Sequence, residues 1–198
     1  VTPKGDTPSL EKKVKDINDT TDDTTSSWQD SADHDIGDKV PFQLTAKIAS
    51  NFDDYKTYKF VFHDVQSAGL DFLENTVKVK VGNTELTSDQ YKVITTGLDD
   101  DCTFHVVIED LKKIDSAAAD AKVVVEYESK LNTSAVIGSK GNPNEAYLEY
   151  SNNPYDTHGT TTTPHDKVTV FTFKVVANKI DGATKEKLPG AAFALYKK

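Results

Sequence analysis

The sequence predicts an all-β sandwich. Apolar and polar residues alternate over many short stretches, which is the pattern of strands that bury one face. Turn-forming residues separate these stretches at intervals of roughly ten to fifteen residues, and no long stretch has the periodicity of an amphipathic helix. The length of 198 residues is sufficient for one large β domain or two smaller ones.

The first half of the chain holds four predicted strands. Residues 9–15 form the first, and the polar, acidic excursion 16–38 that follows includes Trp28 and a short predicted hairpin at 26–32. The strand 39–48 gives the clearest signal, because its apolar residues alternate with polar ones along its whole length. Strands at 56–65 and 76–81 follow with the same alternation.

The second half of the chain continues in the same way. Single helical turns are predicted at 88–91 and 115–121. Because the strands are numerous and short, they favour two packed sheets. The predicted strands in this half are 91–95, 103–108, 122–129, 144–151 and 168–176.

The ends of the chain differ from the middle. Residues 1–8 contain two prolines and a glycine, and they are predicted to be a linker. Residues 9–176 are predicted to form the β-sandwich. Residues 177–198 resemble two opening strands of a further domain. About twenty residues cannot bury a core of their own, so they are expected to pack on the first domain, to pair with another chain or to belong to a longer protein. The start at Val1 and the absence of methionine lead us to expect a piece of a longer protein.

Composition excludes several classes of function. The net charge of −9 without a basic stripe argues against nucleic-acid binding. No run of eighteen apolar residues is present, so no membrane span is predicted. Cys102 is the single cysteine, which excludes a disulfide within the chain. No motif of a base-activated nucleophile is present, so the chain is not expected to be a hydrolase or another enzyme.

Three polar residues fall on apolar strand faces. In a strand, residues two apart share a face. Lys12 therefore lies with Leu10 and Val14, Asp64 with the aromatic residues at 58, 60 and 62, and Asn152 with the apolar residues at 146, 148 and 150. An amine, a carboxyl and a carboxamide that point into one core can react to join Lys12 to Asn152 by an amide bond.

The chemistry requires burial. Removal from water disfavours the charged amine and the charged carboxylate, so Lys12 could attack as the free base while Asp64 acts as the proton donor and shuttle. Singly, each residue has an ordinary alternative. Lys12 could extend its amine to solvent, Asp64 could be a carboxylate at the end of a strand, and Asn152 could belong to a turn before Asn153 and Pro154.

Other candidate sites are weaker. The acidic positions of the excursion could hold Ca²⁺, but they lack the spacing of a defined loop, and a solvated loop is favoured. The same holds for 99–101. His158 and His165 flank a threonine run without zinc-ligand spacing, and Cys102 is expected to lie at a strand edge and not to act as a nucleophile. No metal and no cofactor are predicted. The acidic positions are Asp16, Asp19, Asp22 and Asp23.

Several short segments follow one another in a characteristic order. They are Pro8 to Val14, Ile36 to Phe42, Tyr55 to Tyr58, His63-Asp64, Gly69-Leu70 and Tyr150 to Pro154. Together they are similar to the second domain of the major, or backbone, pilins of Gram-positive bacteria, whose shafts are assembled by sortases. The resemblance covers nearly the whole chain and implies an immunoglobulin-like, collagen-adhesin-type β-sandwich with short helical turns.

The resemblance implies roles for individual residues. In that family the second domain closes an intramolecular lysine–asparagine bond with the help of a buried acid, and the matching positions are Lys12, Asn152 and Asp64. The segments Asn178 to Asp181 and Leu188 to Tyr196 are similar to the start of the following collagen-adhesin B-type domain. Lys179 matches the bond-forming lysine of that domain, and its partners would lie beyond Lys198.

The resemblance also implies how the subunits join. The family has a Val-x-Tyr-Pro-Lys segment whose lysine is linked by sortase to the next subunit. Residues 1–4 are similar to it, with Thr2 where tyrosine is usual, so Lys4 is the expected point of linkage. The expected partners are neighbouring pilin subunits and a class C sortase, and the expected location is an extracellular pilus anchored to the cell wall.

The sequence leaves one rival function open. A surface adhesin module that binds a host glycan or matrix protein would be expected to expose an aromatic cluster or groove. Trp28 and Tyr155 are the candidates for such a surface. A host-surface ligand is compatible with either function.

Overall fold

The computed structural model describes residues 7–18, 24–190 and 192–194. Strands dominate this part of the chain, and two single-turn 3-10 helices, Phe52–Asp54 and Leu111–Lys113, connect some of them. The strands are β1 (Ser9–Val14), β2 (Ile17–Asn18), β3 (Thr24–Thr25), β4 (Ser31–Asp33), β5 (Lys39–Lys47), β6 (Phe60–Gln66), β7 (Leu70–Val81), β8 (Thr84–Glu85), β9 (Lys92–Ile94), β10 (Phe104–Ile108), β11 (Lys122–Leu131), β12 (Asn142–Ser151), β13 (Thr160–Thr162) and β14 (Asp166–Phe171).

Two large sheets form the sandwich. The first has the strand order β1-β5-β11-β7-β8, and the second has the order β4-β14-β12-β6-β10-β9, with β13 paired to β12. All pairs are antiparallel except β4 and β14, which run parallel. A separate small ribbon joins β2 to β3. The prediction of an all-β sandwich is confirmed.

Strand alternation generates the core. Along β5, buried residues alternate with partly exposed ones, and the same pattern occurs along β11 and β12. Each strand thus directs every second side chain between the sheets, where burial of apolar surface stabilises the fold by about 25 cal/mol per Å². The fully buried large side chains include Phe42, Leu44, Tyr58, Phe60, Phe62, Phe104, Tyr127 and Leu131.

Several local predictions were wrong. Instead of a hairpin at 26–32, residues Ser31–Asp33 form β4, which pairs with the distant β14. The predicted helical turns at 88–91 and 115–121 are hydrogen-bonded turns without a helix, and the last strand ends at Phe171, five residues earlier than expected. The first error has a clear cause, since the pairing of β4 with a remote strand overrides local propensity.

The described residues after β14 are mostly exposed. They form one isolated bridge between Ile180 and Lys187, supported by a hydrogen bond of 3.0 Å from the Leu188 amide to the Lys179 carbonyl. Phe173, Val175 and Phe193 remain largely exposed. The division of the chain at residues 8 and 176 stays a prediction. No helix in the described part is long and apolar enough to cross a bilayer.

Candidate functional site

Lys12 lies at the centre of a polar cluster between the two sheets. Alternation along β1 directs Lys12 and Val14 inward, and both are fully buried. The Lys12 Nζ atom lies 2.5 Å from Asp64 Oδ2 and donates a hydrogen bond of 2.8 Å to Tyr127 Oη. The Lys12 backbone amide donates to Asp166 Oδ2 at 2.7 Å, which ties β1 to β14 of the opposite sheet.

Asp64 approaches the lysine from the second sheet. It lies on the inner face of β6 with Phe60 and Phe62, as the sequence predicts, and it is fully buried. Its cross-strand neighbours are Phe104 on β10 and Ala146 on β12. Asp64 Oδ1 has no hydrogen-bond partner among the described residues, so it is free to carry a proton.

The Tyr127 hydroxyl connects the cluster. It accepts hydrogen bonds from Lys12 Nζ and, at 2.9 Å, from Asn144 Nδ2. It donates to Asp64 Oδ2 at 2.7 Å. Because both nitrogens lie within hydrogen-bond distance of one oxygen, they are within about 6 Å of each other.

Asn144 supplies the carboxamide. It is fully buried on the inner face of β12, two residues before Ala146, the cross-strand partner of Asp64. The side-chain oxygen Oδ1 of Asn144 has no hydrogen-bond partner among the described residues, like Asp64 Oδ1. A buried acceptor without a donor is costly, and a proton on Asp64 Oδ1 would supply the missing kind of donor.

Aromatic rings enclose the cluster. Phe42 stacks on Tyr127 with 5.3 Å between ring centroids, and Phe104 meets the same ring edge-on at 5.0 Å. Phe72 packs on Tyr127 at 5.7 Å and stacks on Phe104 at 3.7 Å. Lys12 Nζ lies 5.6 Å from the centre of the Phe42 ring. The amine, the carboxyl and the carboxamide are therefore held in apolar surroundings.

Burial shifts both ionisable partners toward their neutral forms. Desolvation lowers the pKa of Lys12, although the attraction of Asp64 offsets part of the effect. Desolvation likewise raises the pKa of Asp64 against the opposing influence of Lys12. Burial beside Asp64 raises the pKa of Tyr127 well above its usual value, so its hydroxyl keeps its proton. A neutral amine beside a neutral acid is the pairing that amide formation needs.

Asn152 does not belong to this cluster, which corrects the sequence prediction. Strand β12 ends at Ser151, and the Asn152 side chain is exposed, with its Nδ2 donating to the Thr160 carbonyl at 3.1 Å. Asn152 is eight positions after Asn144, about 26 Å at the rise of a β-strand. Asn152 therefore cannot reach Lys12 while β12 is formed.

The sequence contained a signal for the residues that were missed. Asn144 has the same parity as Ala146 and Leu148, so the alternation that favoured Asn152 applies equally to Asn144. Tyr127 shares a buried face with Val123 and Val125. A tyrosine hydroxyl on such a face indicates a polar partner in the core. Alternation gives the face of each residue but not its position across the sheet.

The remaining predicted site residues lie outside the cluster. Lys4 is outside the described residues, as are three of the four acidic positions of the excursion, Asp16 being the exception. Lys179 is exposed in the segment after β14. Cys102 is half-buried, and desolvation raises the pKa of its thiol to about 12. A thiol with so high a pKa is not an activated nucleophile.

Comparison with known proteins identifies the family of this chain. A family model for the Gram-positive pilin backbone subunit 2, Cna-B-like domain, matches residues 36–154, more than half of the chain. The trypsin-resistant surface T6 protein of Streptococcus pyogenes serotype M6 is 26% identical over 216 aligned residues, which cover 98% of this chain and 37% of that protein. The chain thus spans little more than a third of this relative.

Solved structures show the same fold. A 35 kDa C-terminal fragment of the major pilin GBS80 of Streptococcus agalactiae superposes with a TM-score of 0.69 at 22% identity, over 92% of this chain and 62% of that one. The T6 backbone pilin of S. pyogenes gives a TM-score of 0.62 at 22% identity, over 91% of this chain and 39% of that one. On the strength of the family match, this chain belongs to the Gram-positive pilin backbone subunits with a Cna-B-like domain.

Proposed function

We propose that this chain is a section of a covalently assembled pilus shaft in which Lys12 and Asn144 are joined by an intramolecular isopeptide bond. Membership of the backbone-pilin family supports the structural role and a location in a surface pilus. The observation that carries the bond is the buried network in which Lys12, Asp64 and Asn144 all contact Tyr127 Oη. A buried lysine, acid and carboxamide have no other evident use in a sandwich core.

The reaction balances without any external reagent. The neutral Lys12 Nζ attacks Asn144 Cγ while protonated Asp64 donates a hydrogen bond to the carboxamide oxygen. Asp64 then takes a proton from the attacking nitrogen and delivers one to Asn144 Nδ2. The C–N bond to Nδ2 breaks, ammonia leaves, and a secondary amide remains. Asp64 ends in the protonation state in which it began.

Positioning supplies most of the rate. Tyr127 Oη holds the amine and the carboxamide nitrogen next to each other through bonds of 2.8 and 2.9 Å. Reactants held in this manner gain an effective molarity on the order of 10⁵ M or more. The surrounding aromatic rings exclude water, which keeps both groups neutral.

The bond would link the two layers of the sandwich. Lys12 lies on β1, at the edge of the first sheet, and Asn144 lies on β12, inside the second. A covalent link between the sheets prevents their separation even when the hydrogen bonds of β1 to β5 break. A pull on the chain would pass through this link and bypass the residues between 12 and 144, a property suited to a shaft under tension.

Assembly into a polymer would use a residue outside the domain. Lys4 precedes β1 in the proline-containing segment 1–8, where a class C sortase could reach its amine. Lys179 would serve a bond in a following domain. Neighbouring subunits are the partners that this function needs, and a host-surface ligand stays a separate prediction.

Intact mass tests the intramolecular bond. Closure removes one ammonia, roughly 17 Da by the stoichiometry of amide formation. We expect the purified chain to be lighter than its sequence by this mass, and a tryptic digest to contain a branched peptide that joins the regions of Lys12 and Asn144. Asn144→Ala should restore the full mass, whereas Asn152→Ala should keep the deficit. A deficit that depends on Asn152 would overturn the assignment of Asn144.

A further inference from the structure

We propose that His63, Asp100, Cys102 and His105 form a binding site for a divalent transition metal, with zinc as the ion best suited to it. The site lies on the outer face of the second sheet, on the opposite side of β6 from the isopeptide cluster. It is independent of the proposed bond, since no ligand is shared between them. The four ligand atoms all lie within 4.8 Å of one another.

The sheet register creates the site. His63 precedes Asp64 on β6, so alternation directs the two side chains to opposite faces. His63 pairs directly with His105 on β10, and their ring centroids are 4.0 Å apart. The chain before β10 brings Asp100 and Cys102 over this pair, where the Cys102 amide donates to Asp100 Oδ1 at 3.1 Å.

The distances approach those of a tetrahedral site. Asp100 Oδ2 lies 3.0 Å from His63 Nδ1 and 2.9 Å from His105 Nε2. Cys102 Sγ lies 3.8 Å from His63 Nδ1. Zinc bonds of 2.0–2.3 Å at tetrahedral angles place ligand atoms roughly 3.3–3.8 Å apart. An ion therefore fits after shifts of less than about an ångström, which rotations of side chains can supply.

The ligand types select the class of metal. Two imidazole nitrogens, one sulfur and one carboxylate oxygen match the mixed N, S and O preference of zinc. Ca²⁺ and Mg²⁺ prefer shells made of oxygen and are disfavoured here. On coordination the Cys102 thiol releases its proton to solvent, and the thiolate binds the ion.

The groups behind the ligands are those that support a metal site. His63 presents its other ring nitrogen, Nε2, to Glu149 Oε2 at 3.2 Å, which is the carboxylate–histidine pairing that fixes the tautomer of a metal-bound imidazole. Lys59 Nζ holds Glu149 from the far side at 3.0 Å. The Tyr147 ring stacks on His63 at 4.4 Å, and its hydroxyl donates to Asp100 Oδ2 at 3.3 Å.

Burial makes the site both protected and reachable. The side chains of His63 and His105 are 9% and 11% exposed, whereas Asp100 is 27% exposed. The sheet thus holds the two imidazoles in place, and the ion can enter from the more exposed side, where Asp100 lies. Binding would fasten the chain around residues 100–102 to β6 and β10, and would stabilise that edge of the sheet.

Cobalt spectroscopy tests the site directly. The untagged 198-residue chain, freed of metal by a chelator, is titrated with Co²⁺, whose spectrum reports a bound thiolate and a tetrahedral ligand field. We expect one equivalent to bind with a thiolate charge-transfer band, and Zn²⁺ to displace it. Calorimetry with Zn²⁺ should give 1:1 binding that His105→Gln or Asp100→Asn weakens at least about tenfold.

The controls separate this site from general metal binding. Cys102→Ser should remove the thiolate band, because this is the single cysteine. Asp101→Asn and His158→Gln, both at exposed positions, should bind as the unaltered chain does. Zn²⁺ should raise the melting temperature of the unaltered chain but not that of His105→Gln. A folded, unaltered chain that binds Co²⁺ without a thiolate band, or not at all, overturns the proposal.

Discussion

Lys12 Nζ and Asn144 Nδ2 donate hydrogen bonds to the same oxygen, although their strands belong to different sheets. The shared acceptor is Tyr127 Oη, at 2.8 Å and 2.9 Å respectively. The arrangement brings an amine and a carboxamide, 132 positions apart in the numbering, into a common apolar chamber. A polar network of this kind is costly to bury when any of its groups lacks a partner, and two of its oxygens, Asp64 Oδ1 and Asn144 Oδ1, have no hydrogen-bond partner among the described residues.

The acid should be indispensable for closure. Asp64→Asn keeps the shape of the side chain but removes the group that donates and accepts the proton. We expect this variant to show the full sequence mass, with the sandwich intact by circular dichroism. Asp33→Asn, at an exposed position of β4, should retain the loss of one ammonia. A deficit that persists in folded Asp64→Asn would exclude Asp64 as the proton shuttle.

Tyr127 should govern the rate of closure and not its outcome. Tyr127→Phe removes the oxygen that holds both nitrogens but keeps the ring that packs on Phe42 and Phe104. Loss of such positioning can slow a reaction on the order of a hundredfold. For chains recovered unlinked from inclusion bodies, time-resolved mass spectrometry during refolding should show slower loss of ammonia in this variant than in the unaltered chain. Closure at an unchanged rate would show that the phenol has no positioning role.

Closure should stabilise the domain substantially. A cross-link between residues 12 and 144 reduces the entropy of the unfolded chain by an amount equivalent to about 5 kcal/mol on the loop-closure argument used for disulfides. At roughly 2–4 °C per kcal/mol for a domain of this size, Asn144→Ala should melt about 10–20 °C lower and become sensitive to trypsin. Calorimetry and limited proteolysis measure both effects.

Pairs of variants distinguish the bond from simple packing. Lys12→Ala and Asn144→Ala each abolish the same bond. The double variant should therefore be little less stable than either single variant. Lys13→Ala, on the same strand with its amine partly exposed, should melt close to the unaltered chain. Full additivity of the two core substitutions would mean that they act through separate contacts and that no bond joins them.

The sequence predicted the faces of the strands better than their partners. Lys12 and Asp64 were expected on buried faces and are both fully buried, because alternation is a local property of a strand. Asn152 failed because the alternation was extended one residue beyond the predicted strand 144–151, and β12 does end at Ser151. Parity alone could not choose between Asn144 and Asn152, which share a face.

Contacts made by remote pairing were beyond sequence reasoning. The parallel pairing of β4 with β14 joins residues 31–33 to 169–171. No pattern in the sequence around either strand predicts this pairing. The meeting of His63 with His105 depends on the register of β6 against β10, while Cys102 arrives by a loop. Spacing along the chain therefore gave no indication of the proposed metal site, although all of its residues were visible in the sequence.

Lys4 should be the residue through which subunits are joined. In the full-length pilin expressed with its sortase, Lys4→Ala should abolish the ladder of high-molecular-weight polymers on denaturing gels, because the acceptor amine is gone. Lys12→Ala should leave the ladder, since the buried amine of Lys12 cannot reach another protein. Its subunits should be cleaved more readily by trypsin, because they lack the intramolecular bond. Lys15→Ala, a substitution of a partly exposed lysine just after β1, is the matched control and should polymerise normally. A normal ladder from Lys4→Ala would place the acceptor at another lysine and would identify Thr2, where the family has tyrosine, as a sign that residues 1–4 are not the linkage segment.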